Sequence, residues 1–112
     1  GVKSLFETTA HGRYFIAEIN DQVVGQLLLT YEWSDWRNGL FWWIQGVYVV
    51  AEHRRAGVFS SLYRTVSENA KLDPQVCGIR LYMEKDNTRA RDTYLALGMS
   101  ETSYRVMEID YS

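Results

Sequence analysis

Between Val47 and Ser60 the chain reads Val-Tyr-Val-Val-Ala-Glu-His-Arg-Arg-Ala-Gly-Val-Phe-Ser. An apolar run gives way to Arg54, Arg55 and Gly57. Apolar residues then recur at Val58, Leu62, Val66 and Ala70, the i, i+4 spacing of a helix with one buried face. The first N–H groups of such a helix have no internal partner, and its aligned peptide dipoles leave partial positive charge at the same end. A glycine lets a bulky anion approach the backbone, and two arginines add full charges. The chemistry that fits is a grip on pyrophosphate. Taken alone, the Gly57 turn fits an ordinary strand–helix connection with two solvated arginines equally well.

A second stretch runs Leu81-Tyr82-Met83-Glu84-Lys85-Asp86-Asn87-Thr88-Arg89-Ala90, then Tyr94 and Gly98-Met99. Asn87 is placed to cap a helix, Ala90, Tyr94 and Leu97 stripe it, and Gly98 suits the left-handed residue that ends it. Together the two stretches resemble the GNAT superfamily of N-acetyltransferases. Its cofactor loop, Gln/Arg-x-x-Gly-x-Gly/Ala, corresponds to Arg54-x-x-Gly57-x-Phe59, with Phe59 where the family carries a small residue. Its later pattern, Asn-x-x-Ala-x-x-x-Tyr-x-x-x-Gly and a large apolar residue, is matched by Asn87, Ala90, Tyr94, Gly98 and Met99. The order and spacing of the pair carry more weight than either motif, and the resemblance spans about Arg13 to Asp110.

The resemblance implies an acetyl-CoA site. Val47, Tyr48 and Val49 would pair with the pantetheine arm through their backbone. The backbone of Arg55, Ala56, Gly57, Val58, Phe59 and Ser60 would cradle the pyrophosphate beside Arg54, and Asn87 would contact the cofactor at the neighbouring strand end. Two parallel strands must splay to admit such a chain. Gly46 marks the associated bulge, or it relieves crowding beside Trp42 and Trp43. Acetyl transfer needs a neutral amine as nucleophile, an N–H donor for the developing oxyanion near Val49, and a proton for the leaving thiolate. Tyr94 occupies the family position for that acid. The base that deprotonates the amine is read from position: Glu32 first, with Glu18 and Glu84 as alternatives, each also readable as a solvated carboxylate. His53 reads as a surface residue and His11 as incidental.

The elements that must position these groups follow from periodicity. Residues 2–8 (Val2, Leu5, Phe6) have the spacing of a helix end. Residues 13–19 and 22–33 read as strands joined by the Asn20-Asp21 turn. Residues 40–50 form a third strand, apolar on both faces. A helix from Val58 ends at Asp73-Pro74, a strand covers 78–84, a helix follows Asn87, and 103–110 alternate as a last strand. The expected fold is α/β (α+β): a GNAT-like mixed, mostly antiparallel sheet with helices on both faces, lacking the usual first strand. Trp42 and Trp43 are adjacent on a strand and must face opposite sides.

Composition bounds the rest. The 112 residues make one domain's worth of chain, read as a single domain over 1–112 that is short at its N-terminus. Hydrophobic residues are 46% of them and aromatics 14%, which argues against disorder. A formal net charge of −2 argues against a phosphate-neutralising nucleic-acid binder. The longest apolar stretch, residues 40–51, is shorter than the ~20 residues of a membrane span, and residues 1–4 lack a signal-peptide layout. One cysteine, Cys77, suits a cytoplasmic chain, and two isolated histidines with it make no metal set. The short start and the four tryptophans suggest a homodimer. Two function classes stand: an N-acetyltransferase moving acetyl from acetyl-CoA to a small-molecule or protein amine by direct attack, and a non-catalytic acyl-CoA-binding or regulatory module. RNA binding by an aromatic-faced sheet is a weaker third.

Overall fold

The computed structural model describes residues 3–9, 12–54 and 57–112, the first of these segments by its backbone alone. In order, the elements are β1 (Lys3–Thr9), β2 (Gly12–Ile19), β3 (Gln22–Ser34), β4 (Gly39–Val49), a 3₁₀ turn (Ala51–His53), α1 (Val58–Leu72), β5 (Val76–Leu81) and α2 (Thr88–Ala96). The chain divides after Tyr82 into two compact units.

The first unit is a five-stranded sheet in the order β1-β2-β3-β4-β5. The first four strands are antiparallel neighbours and β5 runs parallel to β4, as a crossover through α1 requires. The hairpin between β2 and β3 closes through Asn20 and Asp21, with φ of 52° and 64°. Two consecutive left-handed residues give the turn a twist matching that of the strands, and Asn and Asp tolerate this conformation. One face of the sheet carries Phe15, Ala17, Leu27, Leu29, Trp42 and Ile44, all buried against Val58, Leu62, Val66 and Ala70 of α1. The i, i+4 stripe read from the sequence is thus the buried face of α1. Trp42 is core, while Trp43 lies on the opposite face and is half-buried.

Two elements differ from expectation. Of residues 2–8, read as the end of a helix, those described lie in β1 (Lys3–Thr9), so the sheet opens with a strand where the sequence reading had none. Three apolar residues at helical spacing cannot nucleate so short a helix. An antiparallel ladder from Lys3↔Glu18 to Thr9↔Gly12 instead satisfies that backbone. Residues 103–110, read as a last strand, have no strand conformation, and residues 101–112 are all exposed. Alternating side chains permit a strand, but a neighbouring strand must take up its N–H and C=O groups. Among the described residues, the sheet gives this segment no such neighbour.

The second unit contains α2. Asn87 Oδ1 accepts a hydrogen bond from Ala90 N–H at 3.1 Å. At the other end Met99 N–H donates to Tyr94 O and Gly98 N–H to Leu95 O, both at 3.0 Å, with Gly98 at φ 95°. This is a Schellman closure. The Asn…Gly-Met spacing of the second motif is therefore, in part, the punctuation of one helix.

Candidate functional site

β4 is paired unequally on its two edges. Its ladder with β3 runs from Ser34↔Gly39 to Gly25↔Val49. Its ladder with β5 stops at Ile44↔Leu81. Against β3 the register passes from Leu28↔Gly46 to Leu29↔Ile44, so Gln45 is the extra residue of a β-bulge. A Cβ on Gly46 would meet nothing within 4 Å. Relief of crowding therefore does not explain that glycine, which stands next to the extra residue of the bulge. Beyond Ile44, residues 45–49 have β3 on one side and, among the described residues, no strand on the other. An exposed strand edge of this kind is a template for an extended polar chain. Val47 and Tyr48 are exposed there and Val49 is half-buried.

The strand end leads directly to the loop. Val50 N–H donates to Val24 O at 2.9 Å, and His53 N–H to Val50 O at 2.9 Å. Arg54 turns back, its Nε donating to Val49 O at 3.2 Å. Arg55 and Ala56 lie outside the described residues. Gly57 has φ 76°, a conformation that penalises any Cβ, and a Cβ there would point into open space. α1 begins at the next residue without a side-chain cap and without an acidic residue in its first turn, so nothing in that turn offsets the positive end of the helix dipole. Val58 is fully buried and can offer only its backbone. Phe59 packs against the core, its ring 6.3 Å from that of Tyr63, so the departure from a small residue is absorbed by packing. Ser60 is half-buried. The helix start is held against the strands at Gly25, where a Cβ would come 2.7 Å from Val58 Cγ1 and 3.2 Å from Tyr48 O. Gly25 therefore permits the close approach that puts the first turn of α1 beside the open edge of β4.

Glu32 lies on β3, on the sheet face opposite α1. Its Oε1 accepts hydrogen bonds from Trp43 Nε1 at 2.9 Å and Arg80 Nη1 at 3.1 Å. Glu32 is four positions along β3 from Leu28, the partner of Gly46, or about 13 Å of strand. Glu18 is half-buried on β2 and Glu84 is exposed in the second unit, where Tyr94 is half-buried on α2. His53 is half-buried in the 3₁₀ turn; His11 lies outside the described residues. Sequence reasoning passed over Arg80 and the stacking of Trp43 on Tyr82. The alternation of residues 78–84 places Arg80 and Tyr82 on one face, but the parallel register that brings them to Trp43 and Glu32 is tertiary. Among the described residues there is no group of His, Cys, Asp and Glu that could hold a metal, and no helix is long and apolar enough to cross a membrane.

A family model described as the acetyltransferase (GNAT) family matches residues 2–99. The chain belongs to the GNAT acetyltransferase family. Among solved structures it is similar to a possible acetyltransferase from Clostridium difficile 630, with 44% identity and a TM-score of 0.84, covering 90% of this chain and 66% of that one. Two others share the GNAT fold at lower identity. One is Arabidopsis thaliana Naa50 in complex with the bisubstrate analogue CoA-Ac-MVNAL (23% identity, TM-score 0.68, 80% of this chain and 58% of that one). The other is an aminoglycoside N-acetyltransferase, AAC(6')-Iy, in complex with CoA (18% identity, TM-score 0.75, 93% and 70%). The chain thus spans about two thirds or less of the first and second of these relatives. No curated protein sequence matches it.

Proposed function

We propose that this chain binds acetyl-CoA along the open edge of β4 and transfers the acetyl group to a primary amine by direct attack. The observation that carries the reading is the fork: β4 loses β5 after Ile44 but keeps β3 as far as Val49, and the fork lies beside an uncapped helix start at Gly57. Acetyl-CoA supplies the acyl group and the leaving thiolate. Val47, Tyr48 and Val49 offer main-chain donors and acceptors to the pantetheine amides. The N-terminal turn of α1, with Arg54 and Arg55, meets the pyrophosphate with positive charge, and Asn87 adds a polar contact from the start of α2. A main-chain N–H near Val49 stabilises negative charge on the carbonyl oxygen. Tyr94 gives its hydroxyl proton to the departing sulfur, and Glu32, at the distance noted, takes the proton of the attacking amine through water.

The test is CoA release with a panel of spermidine, kanamycin, lysine and a peptide bearing a free α-amine. The native chain is expected to turn over at least one of them. Tyr94→Phe should lower kcat by about 10²-fold, the small end of general-acid contributions, with KM for acetyl-CoA within about twofold. Acetyl-CoA binding without turnover of any amine would instead favour the non-catalytic acyl-CoA module.

A further inference from the structure

The fork in the sheet has a closed end, and that end is aromatic. The last β4·β5 pair is Ile44↔Leu81, and Tyr82 is the next residue. Tyr82 shares a sheet face with Arg80, two positions back. Its ring lies 4.4 Å from that of Trp43, tilted by 33°, so two stacked rings bridge the strands where they part.

The pair is held in place. Trp43 Nε1 donates to Glu32 Oε1, and Arg80 holds the same oxygen. The Arg80 guanidinium carbon lies 3.6 Å from the centroid of the Phe41 ring. Phe41 sits over Gly78, where a Cβ would come within 2.6 Å of the Phe41 ring. The inner face beside the vertex is filled, with Trp42 and Ile44 buried in the core. A chain that lies in the fork and reaches the vertex can therefore continue only across the outer face, where it meets the two rings.

We propose that the Trp43–Tyr82 pair is the acyl-length stop of this site, admitting acetyl and excluding straight-chain acyl groups from butyryl upward. The proposal deepens the acetyl-CoA reading and rests on it. With room at the vertex, each further buried methylene would raise affinity about fourfold; with the stop in place it raises it not at all.

The test is calorimetric titration of CoA, acetyl-CoA, butyryl-CoA and hexanoyl-CoA into the native chain, Tyr82→Ala and Trp43→Phe. The native chain is expected to bind butyryl-CoA and hexanoyl-CoA no tighter than acetyl-CoA. Tyr82 is 61% exposed, so its truncation leaves the core filled. Tyr82→Ala should raise the butyryl-to-acetyl affinity ratio about tenfold and leave CoA itself within about twofold. Trp43→Phe, which shrinks the ring and removes its bond to Glu32, should raise the ratio less, and it carries the comparison if Tyr82→Ala does not fold. A native chain whose affinity climbs with each methylene, or a ratio unmoved in both variants, overturns the stop. Failure of the native chain to bind CoA at all would overturn the acetyl-CoA reading beneath it.

Discussion

Replacing Gly57 separates backbone strain from ligand contact at one position. With φ at 76°, a side chain at Gly57 costs about 1–2 kcal/mol of backbone energy. No clash adds to that, because a Cβ meets nothing within 4 Å. In a domain of this size each kcal/mol moves Tm by roughly 4–8 °C, so Gly57→Ala should melt about 5–15 °C below the native chain without ligand. Gly57→Asn should melt higher than Gly57→Ala, since Asn tolerates the left-handed region. Gly57→Glu has the same backbone cost but places a carboxylate in the open space before the helix. About 6 Å from a phosphate charge, it would repel by roughly 0.7–2.8 kcal/mol, for effective dielectric constants of 80 and 20. With two phosphates the affinity for CoA should fall at least tenfold. CoA at a hundred times its Kd stabilises the native chain by about 2.7 kcal/mol, a rise of some 10 °C or more in Tm. The assay is thermal unfolding with and without CoA. The CoA-induced rise should be full in the native chain, close to full in Gly57→Ala, and at most about half as large in Gly57→Glu, since a tenfold weaker affinity leaves about 1.4 kcal/mol of stabilisation. An equal rise in Gly57→Glu and the native chain would place the pyrophosphate elsewhere and refute the reasoning.

Two further outcomes are expected. Burial raises the Tyr63 hydroxyl above the ordinary value of 10.0, so the folded chain holds that proton longer than the unfolded one. Stability from this group is complete below about pH 10 and is lost as pH rises through the folded-state value; Tm between pH 9 and 11 should fall less steeply in Tyr63→Phe than in the native chain. Asn87→Ala should cost α2 about 1 kcal/mol by removing its cap, read as faster amide exchange in residues 88–91. Asn87→Asp keeps a capping oxygen and should retain that protection, but its charge should weaken CoA binding; unchanged affinity would limit Asn87 to the cap.

Much of the fold was legible because its signals are local. The α1 stripe from Val58 to Ala70 is a period that one buried face imposes, and it emerged in the core as read. Asn20-Asp21, Asn87 and Gly98 could be read because turns and helix ends demand particular backbone conformations from the residues that form them. Residues 2–8 and 103–110 misled for a common reason. Each presents a pattern compatible with an element, but whether a strand exists depends on a partner, and the partner is remote in sequence. β1 forms because β2 is there to pair with it, and 103–110 show that alternation without a neighbour is insufficient.

The sequence by itself determined where an anion-gripping helix start could lie, which helix ends in a glycine closure, and which family the two motifs resemble, since each is written in adjacent residues. Tertiary structure alone decided that β4 bulges at Gln45 and parts from β5 at Ile44, that Gly25 admits Val58 against the strand end, and that Trp43, Tyr82, Glu32 and Arg80 meet on one face. These are matters of register between strands, set by how whole elements pack, and a register leaves no mark in any single stretch of chain.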